Sequence, residues 1–299
     1  MSGLSRSVPV IAGVALLALA GCGTDSGPSA ADGKIAVAAS TNVWGSVVRA
    51  VGGDRVSVDS LIDDASADPH AYPDKPEDAT VLAGADLVVY NGGGYDDFFT
   101  KLIDGTGTDA KQVDAFELSG HGDGANEHVW YDLPTVKKVA DRIAADLSAI
   151  DPGHEAEFAA NAKTFGTEVD ALAAAAKQAG AAAPGAKVVA TEPVAHYLLE
   201  AAGLTDATPA EFSEAIEEET DPPVSALAKT TGLITGKQVA MLVANAQTET
   251  AITDSLIESA RDSGIPVVTV TETLPPGVTS YVEWMTKQVD AIAGALAGT

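Results

Sequence analysis

Short apolar runs alternate with amphipathic segments along most of the chain. KIAVAAS predicts a strand, NVWGSVVRAVGG a helix that ends at a glycine pair, and VSVDSLI a second strand. A helix through PEDATVLAGA follows, and then DLVVYNGG and QVDAF predict two further strands. Because strands that alternate with helices pair in parallel, this half of the chain predicts a mainly parallel sheet covered by helices.

The middle of the chain has a much longer helical pattern. LPTVKKVADRIAADLSAI has apolar residues at helical spacing, and a second helical stretch continues from there. Its apolar residues recur every three or four positions, at Phe158, Phe165, Val169 and Leu172. A helix over 152–180 would be roughly 43 Å long. This length is typical of a helix that links two lobes, and a surface helix of one domain is the alternative.

Strand and helix patterns resume after the long helix, with AKVVATEP, KQVAMLVAN and IPVVTVTET as strands. The predicted fold is therefore α/β, with two lobes that each hold a mainly parallel sheet flanked by helices, joined by one long rigid helix. The predicted segments are a signal peptide at 1–21, a tether at 22–33, an N-terminal lobe at 34–150, a linking helix at 151–183 and a C-terminal lobe at 184–299.

The first 33 residues predict export and a lipid anchor. Arg6 precedes an apolar stretch at 8–20 that is too short to span a bilayer comfortably as a mature helix. The stretch ends in LAGC, so cleavage before Cys22 would leave its sulfur to carry diacylglycerol; an ordinary secretory signal is the alternative. Residues 23–33 would then tether the protein to the outer face of a bacterial cytoplasmic membrane.

Charge and cysteine content narrow the possible functions. The chain has 43 acidic and 17 basic residues and a formal net charge of -26. Nucleic acid is excluded as a partner, because its binding requires a basic surface. The single cysteine excludes an intrachain disulfide and a cysteine-based zinc finger.

Four potential metal ligands lie where ligands of parallel α/β sheets bind, beyond the carboxyl ends of strands. His70 follows VSVDSLI in a loop with three prolines, and His128 lies just before the LPTV helix. Glu192 and Glu272 directly follow KVVAT and PVVTVT. Two imidazoles and two carboxylates suit zinc, manganese or ferrous iron. Taken singly, each residue also fits a structural role, as a loop histidine or as a carboxylate that caps a helix or turn.

The segments around these residues resemble the metal-binding receptors of bacterial ABC importers for zinc and manganese, the ZnuA-like and TroA-like group. The matching motifs, in order, are ADPHAYPDKPED, NEHVWYDLP, ATEPVAHYLL and VTVTETLPP. The resemblance covers essentially the whole mature chain. It implies His70, His128, Glu192 and Glu272 as ligands of a metal held between two lobes. It also implies delivery of that metal to the permease of the same importer, without catalysis.

The chain departs from the family pattern at two ligand positions. Zinc-type relatives commonly have histidine at the third position and the family often has aspartate at the fourth, whereas this chain has Glu192 and Glu272. A site with two histidines and two carboxylates is harder and tolerates manganese better than a site with three histidines. We expect Zn²⁺ as the first candidate cargo and Mn²⁺ as the second, bound by a monomer.

Three further residues are candidates for auxiliary roles. His196 lies one helical turn after Glu192, so it could join or replace that carboxylate. Asp132 lies one turn past His128 and could orient its imidazole or simply favour the helix N-terminus. His121 is the one additional imidazole before His128. The acidic segment EFSEAIEEETDPP is more typical of a solvated surface than of a patch that collects metal.

Two other classes of function remain open at this stage. A metal-dependent hydrolase on a similar scaffold would need an open coordination position and a general base nearby. A metal-binding surface adhesin, or a metallochaperone without a transporter, would keep the same ligands but would not support metal uptake.

Overall fold

The computed structural model describes residues 1–3, 33–65, 67, 69, 72–73, 75–122 and 124–298. Two predicted functional residues, Cys22 and His70, lie outside the described residues. Within the described part of the chain, no helix combines the length and the apolar character needed to cross a membrane.

The N-terminal lobe is built on a four-stranded parallel sheet with the strand order β2-β1-β3-β4. One of its two inner strands, β1, is rich in alanine, and the helix that follows directly buries its four valines and Trp44. The elements of this lobe are β1 (Ile35–Thr41), α1 (Asn42–Gly52), β2 (Val56–Ile62), α2 (Pro76–Ala83), β3 (Leu87–Tyr90), α3 (Asp97–Thr106), β4 (Lys111–Asp114), α4 (Ala115–Ser119) and α5 (Leu133–Ile150).

A single long helix, α6 (Glu155–Gly180), follows the N-terminal lobe after a short 3-10 turn at Pro152–His154. In this turn, Asp151 Oδ2 lies 2.6 Å from His154 Nδ1. The helix α6 therefore begins at Glu155, three residues later than the sequence pattern predicts. At 1.5 Å per residue, its 26 residues extend for about 39 Å.

The C-terminal lobe repeats the same topology, with a four-stranded parallel sheet in the order β6-β5-β7-β8. Because every strand is parallel to its neighbours, the carboxyl ends of each sheet lie at one edge. The elements are β5 (Lys187–Ala190), α7 (His196–Ala201), β6 (Thr205–Asp206), α8 (Ala210–Glu217), α9 (Val224–Thr235), β7 (Met241–Asn245), α10 (Ala251–Asp262), β8 (Val267–Val270) and α11 (Tyr281–Ala297).

One hydrophobic core spans both lobes and the long helix. The buried face of α6 carries the predicted Phe158, Phe165, Val169 and Leu172 and contacts α1, α5, α7 and α11. Gly180 at its end touches the next lobe so closely that a Cβ there would lie 1.6 Å from the backbone oxygen of Ala202. The two lobes therefore rest on a shared, close-packed helix, as predicted for the fold class.

Five short or polar elements go beyond the predicted pattern, namely α3, α4, β6, α8 and α9. The strand β6 has only two residues, which is too short for any alternation to appear in the sequence. Helix α8 lies in the acidic segment that predicts a solvated surface, yet it buries Phe212 and Ile216 against the sheet of its lobe.

Candidate metal centre

Two carboxylates of the C-terminal lobe, Glu192 and Glu272, are joined by the side chain of Asn245. Asn245 Nδ2 donates to Glu192 Oε2 at 2.6 Å and to Glu272 Oε1 at 2.8 Å. The three residues follow or end the neighbouring strands β5, β7 and β8, so parallel pairing brings them to one edge. Glu192 and Glu272 are only 4% and 2% exposed. Two buried carboxylates that share one amide group repel each other, and the hydrogen bonds from Asn245 Nδ2 offset part of that repulsion.

Backbone and side-chain hydrogen bonds fix the segments that carry this pair. The backbone N–H of Asn245 donates to Thr191 Oγ1 at 3.0 Å, beside Glu192. Gln247 Oε1 accepts from the backbone N–H of Glu272 at 2.8 Å, and its Nε2 donates to Thr273 Oγ1 at 2.8 Å. The carboxylates are thus held in place by their own lobe.

The imidazole of His128 is the candidate ligand of the N-terminal lobe, and it is 1% exposed. Asn126 Oδ1 accepts from the His128 backbone N–H at 3.0 Å and lies 3.1 Å from His128 Nδ1. When Nδ1 carries the proton, Asn126 fixes the tautomer whose Nε2 lone pair is available to a metal. The rings of Tyr95 and Trp130 pack edge-on against the imidazole.

A glycine-rich turn supports the residue before His128. Asn91 Nδ2 donates to the backbone oxygen of Glu127 at 2.8 Å, and the buried Asp96 accepts from the backbone N–H groups of Asn91 and Gly92 at 2.7 and 2.8 Å. Burial raises the pKa of Asp96 to about 6. Gly92 has a φ of +74°, and a Cβ there would meet the Asp114 carboxylate at 2.3 Å. The sequence NGGG forms a tight turn that positions the backbone at Glu127.

Several hydrogen bonds connect the His128 segment with the two carboxylate segments across the lobes. Asn126 Nδ2 donates to the backbone oxygen of Pro193 at 3.0 Å, one residue after Glu192. Tyr197 Oη donates to the backbone oxygen of Asn126 at 2.6 Å. Tyr131 Oη donates to the backbone oxygen of Thr271 at 2.8 Å, one residue before Glu272. These bonds hold the segment of His128 against the segments that carry Glu192 and Glu272.

A third carboxylate reaches the cleft from the end of α8. Glu217 Oε1 lies 3.7 Å from His128 Nε2, and one ligand atom each from Glu127, His128 and Glu217 fall within 4.8 Å of one another. Burial, followed by the charges of Glu127, Glu192 and Glu272, raises the pKa of Glu217 to about 8. The other acidic side chains of this segment are exposed, as the sequence predicts, so Glu217 is the exception.

The three auxiliary candidates lie around this cleft with partners of their own. Asp132 Oδ2 accepts from Thr135 Oγ1 at 2.5 Å and lies 3.1 Å from His121 Nε2. The His121 ring stacks on Tyr197 of the opposite lobe, with centroids 4.8 Å apart. His196 is 39% exposed, with its Nε2 3.6 Å from Glu200 Oε1. The structure thus joins Glu192 and Glu272 through Asn245 and places His128 beside Glu217, whereas His196 is partly exposed on α7.

Comparison with known families is consistent with this arrangement. The family model ZnuA, described as zinc-uptake complex component A periplasmic, matches residues 37–295. The chain belongs to the ZnuA family. This match contains both sheets, the long helix and every candidate ligand of the cleft.

Relatives of this ZnuA-family chain carry the names of different metals. The manganese-binding lipoprotein MntA of Bacillus subtilis is 32% identical over 166 residues, which are 53% of this chain and 54% of that protein. The chain thus spans about half the length of this relative. The iron ABC transporter substrate-binding lipoprotein MtsA of Streptococcus pyogenes serotype M6 is 27% identical over 99% of both chains.

Among solved structures, the periplasmic zinc-binding protein TroA of Treponema pallidum has a TM-score of 0.74 and 19% identity. It covers 88% of this chain and 99% of its own. This likeness establishes the two-lobed fold with its long helix.

Sequence reasoning missed four residues of the cleft: Asn126, Glu127, Asn245 and Glu217. Asn245 ends strand β7. Because ligands of parallel α/β sheets bind beyond the carboxyl ends of strands, a search that included amides beside imidazoles and carboxylates would have found it. Asn126 lies two residues before His128, a spacing at which an asparagine side chain can accept from the backbone N–H two residues further along the chain. Glu217 has no such signal, because five other acidic residues surround it in the same segment.

Proposed function

We propose that this chain captures a divalent transition metal outside the cytoplasm and delivers it to the permease of an ABC importer. The observation that supports this most is the buried set of His128, Glu192 and Glu272, with Asn245 between the carboxylates. Two carboxylates in a buried site carry a formal charge that one divalent cation neutralises, and the imidazole adds a nitrogen ligand.

His70 completes the proposed site as the fourth ligand, following its position in the family motif. Pro69 and Pro73 lie close to His70 in the sequence and Pro76 begins α2, and prolines restrict the backbone conformations of the unfolded chain. The proposed cargo is Zn²⁺ first and Mn²⁺ second. Relatives and structural neighbours are named for zinc, manganese and iron.

The proposed location is the outer face of the cytoplasmic membrane, with lipid on Cys22. The relatives MntA and MtsA are named as lipoproteins, and LAGC with the polar stretch after it fits lipid attachment and a tether. The proposed monomer would reach its permease from this anchor.

The role in transport is tested by deleting the gene and measuring accumulation of ⁶⁵Zn and ⁵⁴Mn under metal limitation. We expect uptake of one of the two metals to fall and to return with the wild-type gene. A gene encoding His128→Ala should fail to restore uptake although the protein is present at the membrane. Unchanged uptake of both metals, and of iron, in the deletion strain would contradict the proposal and favour an adhesin or metallochaperone.

A further inference from the structure

Glu217 is placed to contact the same metal as His128, although no strand-end position predicts it. Two donor atoms that bind one ion at about 2.1 Å each are at most about 4.2 Å apart. Glu217 Oε1 and His128 Nε2 are separated by 3.7 Å. Their separation therefore allows a single ion to bind both atoms in this conformation.

The environment of Glu217 also favours contact with a cation. Its Oε1 is shielded from solvent and has no hydrogen-bond partner among the described residues, and the side chain as a whole is 19% exposed. Glu127 lies close by as well, because one ligand atom each from Glu127, His128 and Glu217 fall within 4.8 Å of one another. A buried carboxylate oxygen that faces other carboxylates is stabilised most directly by a positive charge between them.

The local fold explains how this residue reaches the cleft. Helix α8 buries Phe212 and Ile216 in the C-terminal lobe, and Glu217 is its last residue. The next residue, Glu218, is exposed, so the end of α8 brings only Glu217 of these two carboxylates into the cleft.

We infer that Glu217 is an additional metal ligand that favours a cation of higher coordination number, such as Mn²⁺, over Zn²⁺. This inference rests on the proposed function, because it concerns the same site. Zinc held by four protein ligands is commonly tetrahedral, so a fifth donor adds little to its binding. Manganese favours oxygen ligands and larger coordination numbers, so the added carboxylate stabilises it selectively.

The test compares Mn²⁺ and Zn²⁺ affinities of the mature full-length protein, Glu217→Gln and the control Glu218→Gln, by competition with a chelator. We expect Glu217→Gln to weaken Mn²⁺ binding by about 10- to 100-fold and Zn²⁺ binding by less than about threefold. The control removes the same charge from an exposed neighbour and should change both affinities by less than about threefold. Thermal melts of the metal-free proteins establish that all three are folded.

Each outcome separates the inference from the proposed function. If Glu217→Gln lowers the affinities for both metals equally, Glu217 acts through its charge alone and the inference is wrong. If neither affinity changes, Glu217 is not a ligand, and the inference is again wrong while the proposed function stands. If the wild-type protein binds neither metal, the proposed function itself fails.

Discussion

In the C-terminal lobe, one amide joins both candidate ligands, whereas in the N-terminal lobe an amide joins the ligand to the opposite lobe. Asn245 donates to Glu192 and Glu272, all three within the C-terminal lobe. Asn126 instead contacts His128 with its oxygen and donates with its nitrogen to the backbone of Pro193 across the cleft. The two lobes have the same strand order, so this difference comes from side chains at the strand ends and in the loops.

This difference leads us to expect that the two halves of the site respond differently to movement of the lobes. The contacts of Asn245 with the carboxylate pair lie within one lobe, so we expect the pair to keep its geometry when the lobes move. The orientation of His128 depends partly on contact between the lobes. Since both lobes share the buried face of α6, a wide opening would expose a large apolar surface. We therefore expect metal release to involve small local displacements near Asn126 and Pro193.

Removing a carboxylate of the C-terminal pair should have the largest effect. Glu272→Gln keeps the shape and an oxygen near Asn245 but removes one negative charge from the buried site. We expect metal affinity to fall by more than about 100-fold, beyond the range typical of residues that only support a ligand. Relief of repulsion from Glu192 should raise the melting temperature of the metal-free protein by about 2 to 4 °C.

The control for this variant is Glu283→Gln on α11, an exposed carboxylate that forms an ion pair with Lys287 at 2.7 Å. It removes the same charge at a distance from the cleft, so metal affinity should stay within about threefold of the wild type. A Glu272→Gln protein that binds metal as tightly as this control would show that the pair is structural only.

Reversing the polarity of the bridging amide should have the second largest effect. Asn245→Asp replaces the donor between Glu192 and Glu272 by a third acceptor. We expect metal affinity at neutral pH to fall by about 10- to 100-fold and the metal-free protein to lose about 2 to 4 kcal/mol of unfolding free energy. Thr248→Ala, which removes only the acceptor 3.2 Å from Asn245 Nδ2, should leave metal affinity nearly unchanged. Equal effects of the two substitutions would argue against a special role for the bridge.

Breaking the contact of Asn126 with the opposite lobe should have a smaller effect, seen mainly in kinetics. Asn126→Asp keeps an acceptor for His128 but loses the donor to the backbone oxygen of Pro193. We expect metal to dissociate about tenfold faster, with little change in the association rate. Stopped-flow release into a chelator measures this rate. An unchanged dissociation rate would mean that the contact does not couple the lobes to the site.

Substitution of Asp96 should change metal affinity least, and its effect should appear in the pH dependence of stability. The folded pKa of about 6 lies above the ordinary value of 3.8, so the folded protein holds this proton more tightly. The resulting stabilisation is fully present below about pH 4 and is lost as the pH rises through 6, up to about 3 kcal/mol.

Asp96→Asn cannot titrate, so the decline in unfolding free energy of the metal-free protein between pH 4 and 6 should become shallower. Denaturant unfolding at a series of pH values measures the slope. The same slope in wild type and variant would exclude Asp96 as its source. Metal affinity at pH 7 should stay within about threefold, because Asp96 supports the turn at Asn91 and does not reach the cleft.

The sequence predicts the main strands and their mainly parallel pairing but few of the short elements. Strands such as β1 and β7 appear as apolar runs because both of their faces are buried, and α6 appears because its apolar stripe recurs over many turns. The strand β6 has two residues, and the helix α8 has eight, of which three are glutamates, so neither gives a clear hydrophobic period. Their positions are set by packing against the rest of the lobe.

Within the site, the strand ends predict Glu192 and Glu272, because parallel pairing determines where a residue after a strand lies. The partners of His128 depend on the loop before it. A loop has no repeating pattern of apolar and polar residues from which its contacts could be predicted. Asn126 and the turn at Asn91 meet Glu127 and His128 only through tertiary contacts. The same holds for Glu217, whose distance from His128 depends on how the two lobes are placed on α6.

The central claim, that the cleft binds one metal ion through His128, Glu192 and Glu272, is tested most directly by stoichiometry. Metal-free mature protein is titrated with Zn²⁺ and with Mn²⁺, and bound metal is quantified after gel filtration. We predict one ion per chain for the wild type and none for the combined variant His128→Ala, Glu192→Gln and Glu272→Gln, which should remain folded. A combined variant that retains one ion with the affinity of the wild type would contradict the account.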